Sequence, residues 1–230
     1  LTKEKYATAF FGTWALGDHK SKTSPKAMGF QYFCGQMDPR YASNRYPKQL
    51  WLQNEALELP NSEISTHTPL PPGSDFDNDE LYKSFNGVAY APQLIHDKAI
   101  DFLDSRLKSK ESFFLYYSHP ALSPSLQTRE KYLGPWRGTM PDLPYAGQNA
   151  FLPHKYPRAV QCAQLTELDR HLGEILVKLK ASKQLDNTFF VFTSSLAPSD
   201  RGGRDLKFFS SLQDFRGSRG SFYEAGLRLP

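Results

Sequence analysis

The side chains that could carry chemistry in this sequence are few and scattered. None of the six histidines stands at a His-x-x-x-His or similar ligand spacing from another. His154 and His171 read as surface or helix-face residues. Cys34 and Cys162 lie far apart and form no Cys-x-x-Cys pair, so neither a zinc site nor a disulfide framework is indicated. Ser194-Ser195 has the composition of a turn; no Gly-x-Ser-x-Gly elbow surrounds it and no histidine is tied to it, which argues against a nucleophilic serine. Asp169 reads as a helix ion-pair partner, and Asp200 and Asp205 as solvated carboxylates in a glycine-rich loop. The one constellation with a chemical use is basic. Arg201, Arg204, Lys207, Arg216, Arg219 and Arg228 are interleaved with glycines. Arginines in a loop at a strand end can hold a sulfated or phosphorylated group through charge-assisted hydrogen bonds. The plainer reading is a solvated basic loop.

These loops must be positioned by regular elements. Tyr6 to Gly12 is a short apolar, aromatic run closed by glycine and reads as a buried strand. From Thr13 to about Tyr90 the text is rich in Pro, Asn, Asp and Ser and reads mostly as loop. Pro92 opens a helix in which Leu94, Ile95, Ala99, Phe102, Leu103 and Leu107 recur on one face. Phe113 to Tyr117 is a second strand. Seven prolines from Pro120 to Pro157 then disfavour regular structure until Pro157 starts another helix. In that helix Leu165, Leu168, Leu172, Ile175, Leu176 and Leu179 form the expected apolar stripe. Thr188 to Thr193 reads as a third strand. Continuous apolar strands alternating with helices predict an α/β fold, a mostly parallel central sheet covered on both faces. Ligands in such sheets bind beyond the carboxyl ends of the strands, so Gly12 to Asp18, Ser118 to Gln127 and Ser194 to Asp205 are expected to converge on one cleft.

Composition narrows the partners. The 230 residues are 39% hydrophobic and 14% aromatic, enough for one substantial core or two small ones. A formal charge of +4, from 28 basic and 24 acidic side chains, gives no argument for nucleic acid or a membrane surface. No apolar run approaches the roughly 20 residues that span a bilayer. Leu1 to Lys5 reads as the end of a polar helix and Leu227 to Pro230 stops within a motif, so the reading expects further chain on both sides.

Four stretches resemble the sulfatase family, of the arylsulfatase type within the alkaline phosphatase superfamily. Tyr6 to Asp18 is similar to Tyr-Ala-Thr-x-x-x-Gly-Lys-Trp-His-Leu-Gly, with Thr13 and Ala15 where the family has its anion-binding lysine and acid-base histidine. Phe114 to Gln127 is similar to Phe-Leu-Tyr followed by Ala-Pro-His-x-Pro-Leu-Gln, with the family histidine falling on Ser123; His119, four residues earlier, is not counted as its replacement. Phe192 to Ala197 resembles Phe-Thr-Ser-Asp-His-Gly or its Asp-Asn variant, with Ser195 and Leu196 at the metal-binding positions. A leucine side chain offers a hard cation no oxygen. Gly217 to Pro230 resembles Gly-x-Lys-Gly-x-x-x-Glu-Gly-Gly-x-Arg-x-Pro, with Arg219 for the sulfate-binding lysine, a change that keeps the charge but alters its shape.

The resemblance covers nearly the whole chain and implies the central part, residues 1–230, of a single sulfatase-like catalytic domain. What it would place upstream is not here: the first metal-binding acids and the Cys/Ser-x-Pro-x-Arg segment whose first residue becomes formylglycine. A C-terminal subdomain is likewise expected beyond this chain. Gly12, Trp14, Leu16, Gly17, Thr193, Ser194, Gly220, Glu224 and Arg228 match while all six site positions differ. Drift would damage both classes alike, so selection for a non-catalytic role, or deliberate inactivation, explains the pattern better. The resemblance thus implies a domain without sulfate-ester hydrolysis, binding neither the calcium nor the formylglycine of intact members, in a periplasmic or secreted setting. Two alternatives stand beside it. One is a module that binds sulfated glycan or another anion in the old cleft, through Arg201, Arg204 and Arg219. The other is an active hydrolase completed by an upstream segment.

Overall fold

The computed structural model describes residues 1–230 except Tyr41, Ala121, Ser123, Leu229 and Pro230. Strand β1 (Ala7–Thr13) is buried over nearly its whole length because it runs between two parallel partners, β2 (Tyr32–Gln36) and β5 (Phe113–Ser118). Beyond β2, strands β3 (Gln49–Leu52) and β4 (Glu55–Glu58) form an antiparallel hairpin, giving the mixed order β4-β3-β2-β1-β5. These three short strands lie within 13–90, the stretch expected to be loop. Each is only four or five residues long, too short to establish a period.

Side chains of a strand alternate between faces, and β1 uses both. Ala7, Ala9 and Phe11 join Ala91, Ile95, Ala99 and Phe102 in one core cluster, whereas Phe10 packs with Trp14, Phe33 and Met37 in another. The first cluster belongs to helix α2 (Ala91–Ser109), which follows the short α1 (Glu80–Lys83) and has proline in its first turn, as expected. After the short α3 (Glu130–Leu133), helix α4 (Pro157–Ala181) packs Ile175 and Leu179 against Ile100 and Leu103 of α2, beside Phe113 and Tyr117 of β5. Burying each such side chain contributes about 1.5–3 kcal/mol. Both long helices therefore share one face of the sheet. The other is covered among the described residues by loop aromatics such as Phe30.

Two expectations require correction. The inward face of α4 runs through Val160, Gln164, Glu167, His171, Ile175 and Leu179, while Leu165 and Leu176 are exposed. The leucine-rich stripe and the buried stripe are rotated with respect to each other, and His171 is a core residue. Residues 188–193 form no strand, and Phe189 is 93% exposed. Downstream, the described regular structure is the short helix α5 (Glu224–Leu227). No helix among the described residues is long and apolar enough to cross a membrane.

Candidate functional site

The parallel register sets Gly12, at the end of β1, between Gly35 and Ser118. A Cβ added at Gly12 would stand 1.9 Å from the Ser118 carbonyl oxygen, and its φ of +115° is one that L side chains rarely adopt. Glycine here is a packing requirement of the three-strand crossing. Trp14 is buried edge-on to Phe10, with ring centroids 4.9 Å apart, and its indole Nε1 donates to the Thr23 carbonyl at 2.9 Å. The matched residues of this first stretch thus hold the strand end in place. The two unmatched ones sit differently: Thr13 is half-buried and Ala15 exposed, offering a hydroxyl and a methyl group. Ser123 lies outside the described residues.

The third loop meets the second. Gly202 packs so closely on Pro124 that an added Cβ would stand 2.3 Å from the Pro124 carbonyl oxygen. Ser195 and Leu196 are exposed, and the Ser194 hydroxyl donates to the Leu196 carbonyl at 2.8 Å, a local turn. Five of the six basic residues divide into three settings. Arg201 and Arg219 line one 240 Å3 cleft with Ser199, Asp200 and Ser218. Arg204 turns inward, its Nη2 donating to Gln164 Oε1 at 2.7 Å, and burial, then the charge of Arg45, pushes its pKa down to about 9. Arg216 and Arg228 lie over the rings of Tyr223 and Phe215, and Arg228 also pairs with Glu224. Asp205 is no free carboxylate: it accepts from Arg158 Nη2 at 2.7 Å and from the Phe208 N–H at 2.9 Å, contacts that hold it below the usual range.

A buried polar network that no motif in the sequence marks lies on the inner face of α4. Glu167 Oε1 accepts from Arg129 Nη2 at 2.8 Å, and its Oε2 accepts from the Tyr90 hydroxyl at 2.7 Å. One to two turns along, the rings of His171 and His96 stack with centroids 3.8 Å apart. His119 Nε2 lies 2.9 Å from His171 Nδ1, and His96 Nε2 lies 3.2 Å from Glu174 Oε2. Burial is the main cause that lowers all three imidazoles, His119 to about 3 with help from Arg45 and His171 to about 2 with help from His96 and His119. His119 and His171 are therefore neutral at ordinary pH, with one proton in the hydrogen bond between them. The spacing 160, 164, 167, 171, 175 is itself helical. Polar residues on that period were the signal, and a purely apolar search passes over them.

The Sulfatase family model matches residues 1–207. The chain belongs to the sulfatase family. Arylsulfatase J of Mus musculus is 22% identical over 233 residues, an alignment covering 99% of this chain and 32% of the relative. Among solved structures, Ps i-CgsB in complex with k-i-k-neocarrahexaose superposes with a TM-score of 0.66 at 19% identity, covering 100% of this chain and 44% of the other. The PsFucS1 sulfatase from Pseudoalteromonas sp. gives 0.63 at 19%, with 100% and 42% covered. These likenesses establish the fold. The chain spans a third to under a half of these relatives.

Sulfatases generally use calcium and formylglycine, and the residues present do not fit either group. A calcium site takes six to eight oxygens, usually with carboxylates among them. Among the described residues no three His, Cys, Asp or Glu side chains are grouped to hold a metal ion, and the positions paired with metal ligands by resemblance carry Ser195 and Leu196. Formylglycine arises from the first residue of Cys/Ser-x-Pro-x-Arg, a pattern that neither Cys34 nor Cys162 begins. Cys34 is also buried within the core, which pushes its thiol up to about 12.

Proposed function

We propose that this chain is a sulfatase-fold domain that does not itself hydrolyse sulfate esters. The observation carrying this reading is the split seen at β1: Gly12 and Trp14 match the family and build the strand end, while Thr13 and Ala15 beside them cannot bind or protonate a sulfate ester as lysine and histidine would. Ser195 and Leu196 repeat the split in the third loop. The setting proposed for it is periplasmic or secreted. The test is turnover of a chromogenic aryl sulfate by the purified protein, with and without calcium. No release above background is expected. Measurable release by this chain would overturn the proposal, and release shown only by a longer form that includes upstream residues would favour a hydrolase whose nucleophile and metal ligands lie there.

A second reading is supported by the 240 Å3 cleft, where Arg201 and Arg219 stand together at the end of the loop. Here the domain is a module binding a sulfated glycan or another anion. Saturable glycan binding that Arg219→Ala abolishes would establish it. Retention on a heparin-like column that modest salt removes would reduce the cleft to ordinary surface charge.

A further inference from the structure

We infer that the buried guanidinium of Arg45 holds a small oxyanion, of the class of sulfate or phosphate, in the core beside helix α4. Arg45 lies in a run, 42–47, that is buried throughout, and its own exposure is 1%. Arginine keeps its proton in proteins, so a full positive charge sits in the interior. Such a charge is ordinarily matched by a carboxylate on its planar fork. Among the described residues Arg45 has no such match. Its backbone N–H donates to Gln127 Oε1 at 2.8 Å, and Nη1 reaches the Tyr90 hydroxyl only at 3.5 Å. Nε and Nη2, two donors of the same fork, have no hydrogen-bond partner among the described residues. The buried carboxylate nearby, Glu167, is already engaged by Arg129 and Tyr90.

Arg204 belongs to the same network. Its Nη2 donates to Gln164 Oε1, Gln164 Nε2 donates to the carbonyls of Ser125 and Gln127 at 3.1 and 3.0 Å, and Gln127 in turn receives Arg45. Arg45, Arg129 and Arg204 thus belong to one network in which the carboxylate of Glu167 is bonded by Arg129 and, through the Tyr90 hydroxyl, linked to Arg45. The charge of Arg45 is among the causes that lower both Arg204 and His119. The hydroxyl of Ser125, wholly buried and without a hydrogen-bond partner among the described residues, is a further donor on the segment that Gln164 holds. An oxyanion supplies what is lacking: two oxygens for the Nε and Nη2 donors, and the negative charge. Arg204 also lines a 640 Å3 cleft with Arg158 and Asp205, which brings solvent to the edge of the network. The inference stands whether or not the domain hydrolyses sulfate esters, and it does not involve the exposed cleft of Arg201 and Arg219.

The test is thermal unfolding of the purified protein with inorganic sulfate, at ionic strength matched by sodium chloride. A saturable rise of several degrees is expected at millimolar sulfate, with phosphate acting similarly. Arg45→Met should lose that response and, in sulfate-free buffer, melt no lower than the wild type, because an uncompensated buried charge has been removed. An unresponsive wild type overturns the inference. So does a rise that Arg45→Met retains, since sulfate also raises melting temperatures by exclusion from protein surfaces. Should Arg45→Met fail to fold, equilibrium dialysis with radiolabelled sulfate decides. One sulfate per chain is expected in both the wild type and the Arg201→Ala/Arg219→Ala double variant. No binding to the wild type, or its loss in the double variant, overturns the assignment.

Discussion

Residues 7–13 and 188–193 are both short runs rich in Phe and Thr, and by local pattern either is a strand. In the structure the first is an interior strand of the sheet, hydrogen-bonded on both sides, and the second forms no strand, with Phe189 and Val191 exposed. The difference lies in their partners. The first run has β2 and β5 at its sides and α2 over its face, whereas β5, the outer strand next to it, still presents one edge with Phe114 and Tyr116 exposed. Extended backbone is stable only where its N–H and C=O groups are satisfied, so an apolar run becomes a strand only when a neighbour offers a matching edge.

The largest expected effect falls on the paired run. Gly12→Val should cost more than about 4 kcal/mol, through backbone strain and collision with Ser118, and should abolish cooperative melting by circular dichroism. A well-folded variant would mean that the β1–β5 crossing is looser than the register indicates.

The second largest belongs to the histidines that lock α2, α4 and the end of β5 together. Folded-state pKa values of His96, His119 and His171 lie below the ordinary 6.5. The unfolded chain therefore binds protons that the folded chain refuses. Stability is full above pH 6.5 and falls as pH drops toward 3, by up to about 1.4 kcal/mol per pH unit for each proton taken up. Glu174 and Asp97 oppose the shift at His96, Arg45 and His96 deepen it at His119, and Arg129 and Arg170 add to it at His171. Denaturant melts at pH 7 and 5 should differ by at least about 2 kcal/mol, and His171→Gln should narrow the gap. His154, likewise lowered to about 3 by burial, supplies part of what remains. A flat profile over that window would show the imidazoles to be accessible.

On the exposed run 188–193 the effect should appear in association. Phe189→Ser should change stability by no more than about 0.5 kcal/mol, since nothing packs on an exposed ring. It should nonetheless lower aggregation and dye binding, because exposed apolar segments beside a free sheet edge are templates for pairing. Aggregation unchanged by Phe189→Ser would place the sticky surface elsewhere, on β5 itself.

The smallest expected effect is none. Millimolar calcium or magnesium, compared with chelator, should not move the melting temperature, whereas a site binding only the native state would add about 2.7 kcal/mol at one hundred times its dissociation constant. A saturable rise abolished by Asp200→Asn or Asp205→Asn would show that the loop after residues 188–193 had built a metal site of its own.

Much of the fold was legible because its signals are local. Pro92 and Pro157 each mark a helix start to within a residue, and the apolar strands Tyr6 to Gly12 and Phe113 to Tyr117 stand where they were read. The resemblance to sulfatases was legible too, since Gly12, Trp14 and Gly17 keep their spacing whatever lies beside them. The candidate site was less so. Arg201, Arg204 and Arg219 read as one basic group, yet the chain turns Arg204 inward to Gln164 and leaves the other two on an open cleft.

The amino-acid sequence by itself determined the family and the two long helices, both of which depend on residue type and short-range order, and the mismatches at Thr13, Ala15, Ser195, Leu196 and Arg219 rest on the resemblance. Tertiary structure alone decided which face of α4 is buried, which apolar run becomes a strand, and which charged and titratable groups are buried. Those outcomes depend on residues far apart in the chain: Arg45 with Gln127, Tyr90 with Glu167, His96 with His171. The physical reason is that desolvation acts on a group only once distant segments close around it, so an arginine or histidine that looks solvated in the sequence becomes a buried charge, or a neutral imidazole, only in the fold.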